Sequence, residues 1–97
     1  MMSSRLGSIA ESRGAEFAYA SSKAALNAVM KAMSLTLAGR GITVVSLAPG
    51  WVRTDMGGPA AALAPEESIR GLRRVIEGLT PADSGRFLSY EGKPLPW

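Results

Sequence analysis

The chain has 97 residues and a mass of 10.1 kDa, which allows one small domain at most; folding at this size buries only ~60–70% of the surface that the unfolded chain exposes. It contains no cysteine and no histidine, which excludes disulfide frameworks, Cys/His metal sites and any Ser-His or Cys-His nucleophilic pair. The composition is globular at 46% hydrophobic residues, and the 11 Lys and Arg behind a net charge of +3 are scattered with only Arg73 and Arg74 adjacent, so no nucleic-acid-binding stripe is expected.

Residues 1–15 hold four Ser and two Gly without periodicity and read as loop. From Glu16 to Leu37, Tyr19, Lys23, Leu26, Met30, Met33 and Leu37 recur at three- and four-residue steps and predict a helix, with Ala25, Val29 and Ala32 widening its apolar face. Gly39 and Gly41 mark its end. The opposite face, Ala24, Ala28, Lys31 and Leu35, is less polar than a solvated face should be, so this helix is expected to contact something on both sides. Ile42–Ala48 is a β-branched run without strict alternation, as in a strand buried on both faces of a parallel sheet, and Pro49-Gly50 ends it. A second helix is expected over Pro65–Leu79, with Pro65 early, Glu66 and Glu67 in the first turn, and Ile69, Leu72, Val75, Ile76 and Leu79 apolar. Thr80-Pro81 stops it, and Arg86–Tyr90 is a candidate last strand. Helix, strand, helix, strand in this order predicts an α/β fold with right-handed crossovers. Two buried-type strands make a poor sheet alone, so the chain is expected to be part of a larger domain. It has no apolar run near the ~20 residues of a membrane helix and no signal-peptide core, which points to a soluble, cytoplasmic protein without a membrane partner.

Tyr19 and Lys23, four apart at the start of the first helix, lie on one face and can converge on one point. A phenol is a poor acid-base group near neutrality, but a neighbouring ammonium favours the phenolate, and general acid-base catalysis works best with a pKa near the working pH. A Tyr-Lys pair can thus exchange a proton with a substrate oxygen, and the Ser4 hydroxyl in the preceding loop can hold that oxygen. A helix that merely exposes a Tyr and a Lys in its first turn would give the same spacing.

The run Tyr19-Ala20-Ser21-Ser22-Lys23-Ala24-Ala25 resembles the Tyr-x-x-x-Lys signature of the short-chain dehydrogenase/reductase family. Ser3-Ser4-Arg5-Leu6-Gly7-Ser8 is similar to that family's Ser-Ser-x-x-Gly segment at the end of its fifth strand. Ser4 then corresponds to the catalytic hydroxyl, and a separation from Tyr19 slightly longer than usual leaves Ser8 as a second candidate. Ala48 to Met56 resembles the Pro-Gly-x-x-x-Thr segment after the sixth strand. Gly85 to Tyr90, with Gly92 and Trp97, resembles the seventh strand and tail of C-factor-like and carbonyl-reductase members.

The resemblance implies an α/β fold formed by the C-terminal part of a Rossmann-type doubly wound parallel sheet: end of strand 5, helix, strand 6, helix, strand 7. It implies an oxidoreductase with NAD or NADP as cofactor and a small carbonyl or alcohol as substrate. Tyr19 would be general acid/base, Lys23 would lower its pKa and bind the nicotinamide ribose, and Ser4 would hold the substrate oxygen. Pro49, Gly50, Trp51, Val52 and Thr54 would flank the nicotinamide. Trp51, Met56 and Ser8 are candidate substrate contacts, and no metal is implied. Gly57–Ala64 falls where family members carry a mobile substrate loop; an ordinary Gly/Ala connector is the alternative. The helix over 16–38 corresponds to one that packs across a dimer, implying a homo-oligomer. The family's Gly-rich phosphate turn, which belongs to the first strand-helix junction, has no counterpart among these residues, so residues 1–97 are expected to be the C-terminal fragment of one such domain. The competing expectation is a non-catalytic piece acting as an interaction module.

Overall fold

In the computed structural model, which describes residues 1–97, Ser46–Ala48 form strand β1 and Phe87–Ser89 form β2, paired in parallel with Ser46 opposite Phe87 and Ala48 opposite Ser89. Met1–Ser3 run along the other edge of β1. Leu47 N donates to Met1 O and Ser3 N to Leu47 O, both at 2.8 Å, and Met2 forms a parallel bridge with Leu47. The lateral order is therefore the N-terminal segment, β1, β2. Both ladders are shorter than the predicted strands. Val44, for example, donates its N–H to the Ser84 hydroxyl at 3.0 Å instead of to a backbone partner. The predicted loop over residues 1–15 is corrected at its start by this pairing and by a single 3₁₀ turn at Arg5–Gly7.

Side chains alternate across a strand, and the two faces of β1 differ. Val45 and Leu47 join Leu72 and Leu88 in a core cluster, with Val75, Leu79 and Tyr90 packed against it. This face is covered by helix α2, Pro65–Glu77. Gly78 closes α2 by donating to Arg74 O and Val75 O, so the helix stops two residues before the predicted Leu79. Its inward line is Ser68, Leu72 and Val75, with Leu79 packed on the core beyond its end, whereas Ile69 and Ile76, expected on the apolar face, are each 55% exposed.

Ser46, Ala48 and Phe87, on the other face, are also buried, and helix α1, Phe17–Leu37, packs against Gly7 after the N-terminal segment and against Gly85 just before β2. Its start is set by Glu16, held in the left-handed region at φ 59°. The rotation of α1 corrects the expected apolar face: its buried residues are Asn27, Met30 and Ser34, while Ala25, Val29 and Ala32 are exposed. Apolar residues surround this Ala-rich helix, so periodicity alone could not orient it; close approach does. Gly7 lies so near α1 that a Cβ there would stand 3.0 Å from Lys23 and 3.1 Å from Asn27 Nδ2. Phe17, Val29 and Leu35 remain on the surface. The whole chain exposes 6302 Å², about 1,000 Å² more than the ~5,300 Å² of a self-contained protein of this mass. No helix is long and apolar enough to cross a membrane.

Candidate active site

The parallel ladder brings the predicted residues to one end of the sheet. The segment Met1–Ser3 and strand β1 run side by side, so Ser4, which follows the first, and Pro49-Gly50, which follows the second, leave at the same rim. Lys23 reaches this rim from α1: its Nζ donates to Met2 O at 3.2 Å and lies 5.6 Å from the centroid of the Tyr19 ring. Lys23 and Tyr19 are both half-buried. An ammonium in such a place needs a partner, and the Met2 carbonyl supplies one.

Ser4 is extended, at φ −149° and ψ 151°, and its Oγ accepts from Leu6 N at 3.2 Å. That bond uses a lone pair and leaves the hydroxyl proton to donate elsewhere. The neighbouring charges neutralise each other: Arg5 Nε and Nη2 donate to the two carboxylate oxygens of Glu11 at 2.7 and 3.2 Å. The bonds hold the Glu11 carboxyl below the usual carboxylate range and push the Arg5 guanidinium up. Ser8 behaves differently from Ser4. It is 1% exposed, donates to Trp97 O at 3.2 Å and accepts from Glu11 N at 3.2 Å, so it serves as a latch between the loop and the chain's last residue, whose ring stacks on Phe87.

After β1, Gly50 turns the chain at φ +87°. Residues 51–63 then form a loop closed at its neck, with Leu63 N donating to Trp51 O at 3.2 Å and Arg53 N to Leu63 O at 2.9 Å. Arg53 Nη1 also donates to Ala61 O and Ala62 O, each at 3.1 Å. In this pattern Trp51 O and Arg53 N face Leu63, so Val52 N–H lies on the opposite edge. Thr54 Oγ1 accepts from Gly57 N at 3.2 Å and, like Ser4, keeps its proton available. Trp51 is 61% exposed with its indole N–H donating to Gly57 O at 2.9 Å, and Met56 is 79% exposed, so neither is packed into the core. The structure thus brings Lys23, Tyr19 and the strand end before Ser4 together, and sets Pro49–Thr54 on the neighbouring strand. Sequence reasoning missed Arg53 and Ser68; the latter sits on the buried line of α2 one turn before Leu72, and a small polar residue on an apolar stripe was the signal that could have found it.

A parallel α/β fold with its polar groups gathered at the carboxyl ends of the strands is that of the Rossmann-type, nucleotide-binding class. The chain belongs to the short-chain dehydrogenase/reductase family, because the family model described as short chain dehydrogenase matches residues 1–63. It is 50% identical over 97 residues to C-signal of Myxococcus xanthus, covering 99% of this chain and 58% of that protein. Among solved structures it is similar to the carbonyl reductase Sniffer of D. melanogaster, with TM-score 0.95 and 44% identity over 99% of this chain. It is also similar to the NADPH-bound carbonyl reductase from chicken fatty liver, with TM-score 0.92 and 40% identity over 99% of this chain. The chain spans 39% and 41% of those two structures.

Proposed function

We propose that these 97 residues are the catalytic, C-terminal part of an NAD(P)-dependent carbonyl reductase or alcohol dehydrogenase. The observation that carries this reading is Lys23, whose Nζ joins the Tyr19 ring to the backbone just before Ser4 at the rim where Pro49-Gly50 also emerges. The residues fit the nicotinamide end of a dinucleotide: an open turn after a parallel strand, the Val52 N–H on a free edge, the Thr54 hydroxyl proton and the Lys23 ammonium. Trp51 flanks the same turn. NADP is the preferred form in this proposal, in keeping with the NADPH named for the chicken enzyme. When bound, the nicotinamide supplies or accepts the hydride.

The chain's own residues handle the oxygen. Ser4 Oγ–H donates to a substrate carbonyl and, in the reverse direction, accepts from the alcohol. Tyr19 Oη delivers the proton to that oxygen or removes it, with the Lys23 ammonium as the cation beside the ring. Trp51 and Met56, both exposed around the 51–63 loop, are the proposed apolar contacts for the rest of a small substrate, and the buried Ser8 is left out of that set. The exposed Val29 and Leu35 of α1 form the proposed contact with a second copy. The test is Tyr19→Phe in the protein that carries these residues together with the preceding half of the fold. Carbonyl reduction should fall by about 10²–10⁴-fold while NADPH still binds; undiminished turnover refutes the assignment, and failure of the parent protein to bind any nicotinamide dinucleotide favours a non-catalytic module.

A further inference from the structure

Serine and threonine inside a helix usually turn their hydroxyls back onto the preceding turn, and those of α1 do so. Ser21 donates to Ala18 O, Ser22 to Tyr19 O, Ser34 to Lys31 O and Thr36 to Ala32 O. Ser68 of α2 does not: its hydroxyl leaves the helix and donates to Pro49 O at 2.7 Å, a residue 19 positions earlier. Ser68 is 2% exposed, so this bond is shielded from water. Pro49 O belongs to the peptide that joins β1 to the turn at Gly50. The same turn is backed by side chains. A Cβ on Gly50 would stand 2.9 Å from Leu63 Cδ2 and 3.2 Å from the Tyr90 ring. Tyr90 in turn rests on α2, where a Cβ on Gly71 would come within 2.9 Å of its Cδ2.

We infer that Ser68 is a positioning residue for the dinucleotide turn: its hydroxyl fixes the Pro49–Gly50 peptide plane, and through it the direction of the Trp51 and Val52 amides, against a backing formed by Leu63 and Tyr90. A peptide plane in a glycine turn can rotate with little steric resistance because Gly tolerates both signs of φ. Fixing its carbonyl removes that freedom, so the free N–H edge at Val52 is ready before a ligand arrives. Ser68 touches neither cofactor nor substrate in this scheme. The inference rests on the reading of Pro49–Thr54 as the nicotinamide-binding turn.

The test compares Ser68→Ala with the parent protein, in the chain that includes the preceding half of the fold, by two readouts: NADPH affinity by fluorescence titration, and hydrogen exchange of the amides of residues 50–54. Loss of one hydroxyl-carbonyl bond should weaken NADPH binding about tenfold, speed exchange at residues 50–54 while the sheet amides stay protected, and leave kcat at saturating NADPH within about threefold. Equal NADPH affinity and unchanged exchange in the variant overturn the inference. If the parent protein binds no dinucleotide, the proposed function fails, and exchange alone decides whether Ser68 holds the turn. Should Ser68→Ala not fold, Ser68→Cys, a weaker donor of similar shape, takes its place in both measurements with the same outcomes decisive.

Discussion

Substituting Gly50 by Ala should be among the most damaging single-methyl changes in this chain, and the structure gives the size of the effect. At φ +87°, an L side chain costs about 1–2 kcal/mol. The new Cβ would also stand 2.9 Å from Leu63 Cδ2 and 3.2 Å from Tyr90, and such overpacking costs typically about 1–3 kcal/mol. Alanine returns about 0.4–1 kcal/mol by restricting the unfolded chain. The net loss is then about 3 kcal/mol, and a domain of this size loses about 4–8 °C of melting temperature per kcal/mol. Two other glycines separate the causes. Gly58 has φ +77° but nothing within 4 Å of where a methyl would sit, and Gly39 has neither positive φ nor neighbours. Gly58→Ala should therefore cost about 0–1.5 kcal/mol, and Gly39→Ala should be neutral or stabilising by up to about 1 kcal/mol. Urea titrations followed by far-UV circular dichroism measure all three. A Gly50→Ala variant no less stable than Gly58→Ala would show that Leu63 and Tyr90 do not back the turn.

Two further outcomes follow from the latch and the acidic turn. Ser8→Ala strips Trp97 O and Glu11 N of a shared buried partner, which should cost about 1–3 kcal/mol and shift Trp97 emission to the red in a Trp51→Phe background; unchanged emission and stability would mean the latch is absent in solution. Asp83 Oδ2 accepts from Thr80 N and Oγ1 at 2.9 and 3.1 Å, and these bonds, with the nearby Arg86, hold its carboxyl below the usual range. A depressed folded-state pKa stabilises the fold at every pH above the unfolded value of ~3.9 and is lost as pH falls through the folded one. The melting-temperature advantage of the parent over Asp83→Asn should thus be constant at neutral pH and shrink below about pH 4; an advantage that does not change with pH contradicts this.

What was legible in the sequence was local. The Tyr19-Lys23 spacing, the Pro49-Gly50 stop and the extent of both helices depend on neighbours within one or two turns, and the structure places them within two residues of the expectation. The rotation of α1 was not legible. Asn27 and Ser34 are buried where Val29 and Ala32 were expected, because Gly7 and Gly85 press against that side from elsewhere in the chain. The site was divided in the same way. Lys23 was identifiable from its own helix, but Ser68 and Tyr90 bear on Pro49 and Gly50, which are distant in sequence, and a serine in the first turn of a helix carries no local mark of where its hydroxyl points. The latch at Ser8 was hidden for the same reason, its partner being 89 residues away.

That last separation bears on how the site comes into being. Ser4 is synthesised before every group that holds its surroundings. The groups that fix its surroundings are Lys23 against Met2 O, Leu47 against Ser3 N, and Trp97 against Ser8, so they leave the ribosome progressively later. At translation rates of ~5–20 residues per second, the final contact becomes possible roughly 4–18 s after Ser8 is made. The loop from Ser4 to Glu11 is thus a high-contact-order element closed late in folding, whereas α1 with Tyr19 and Lys23 can form from its own residues. A newly made chain should possess α1 before it possesses the closed loop that α1 packs against.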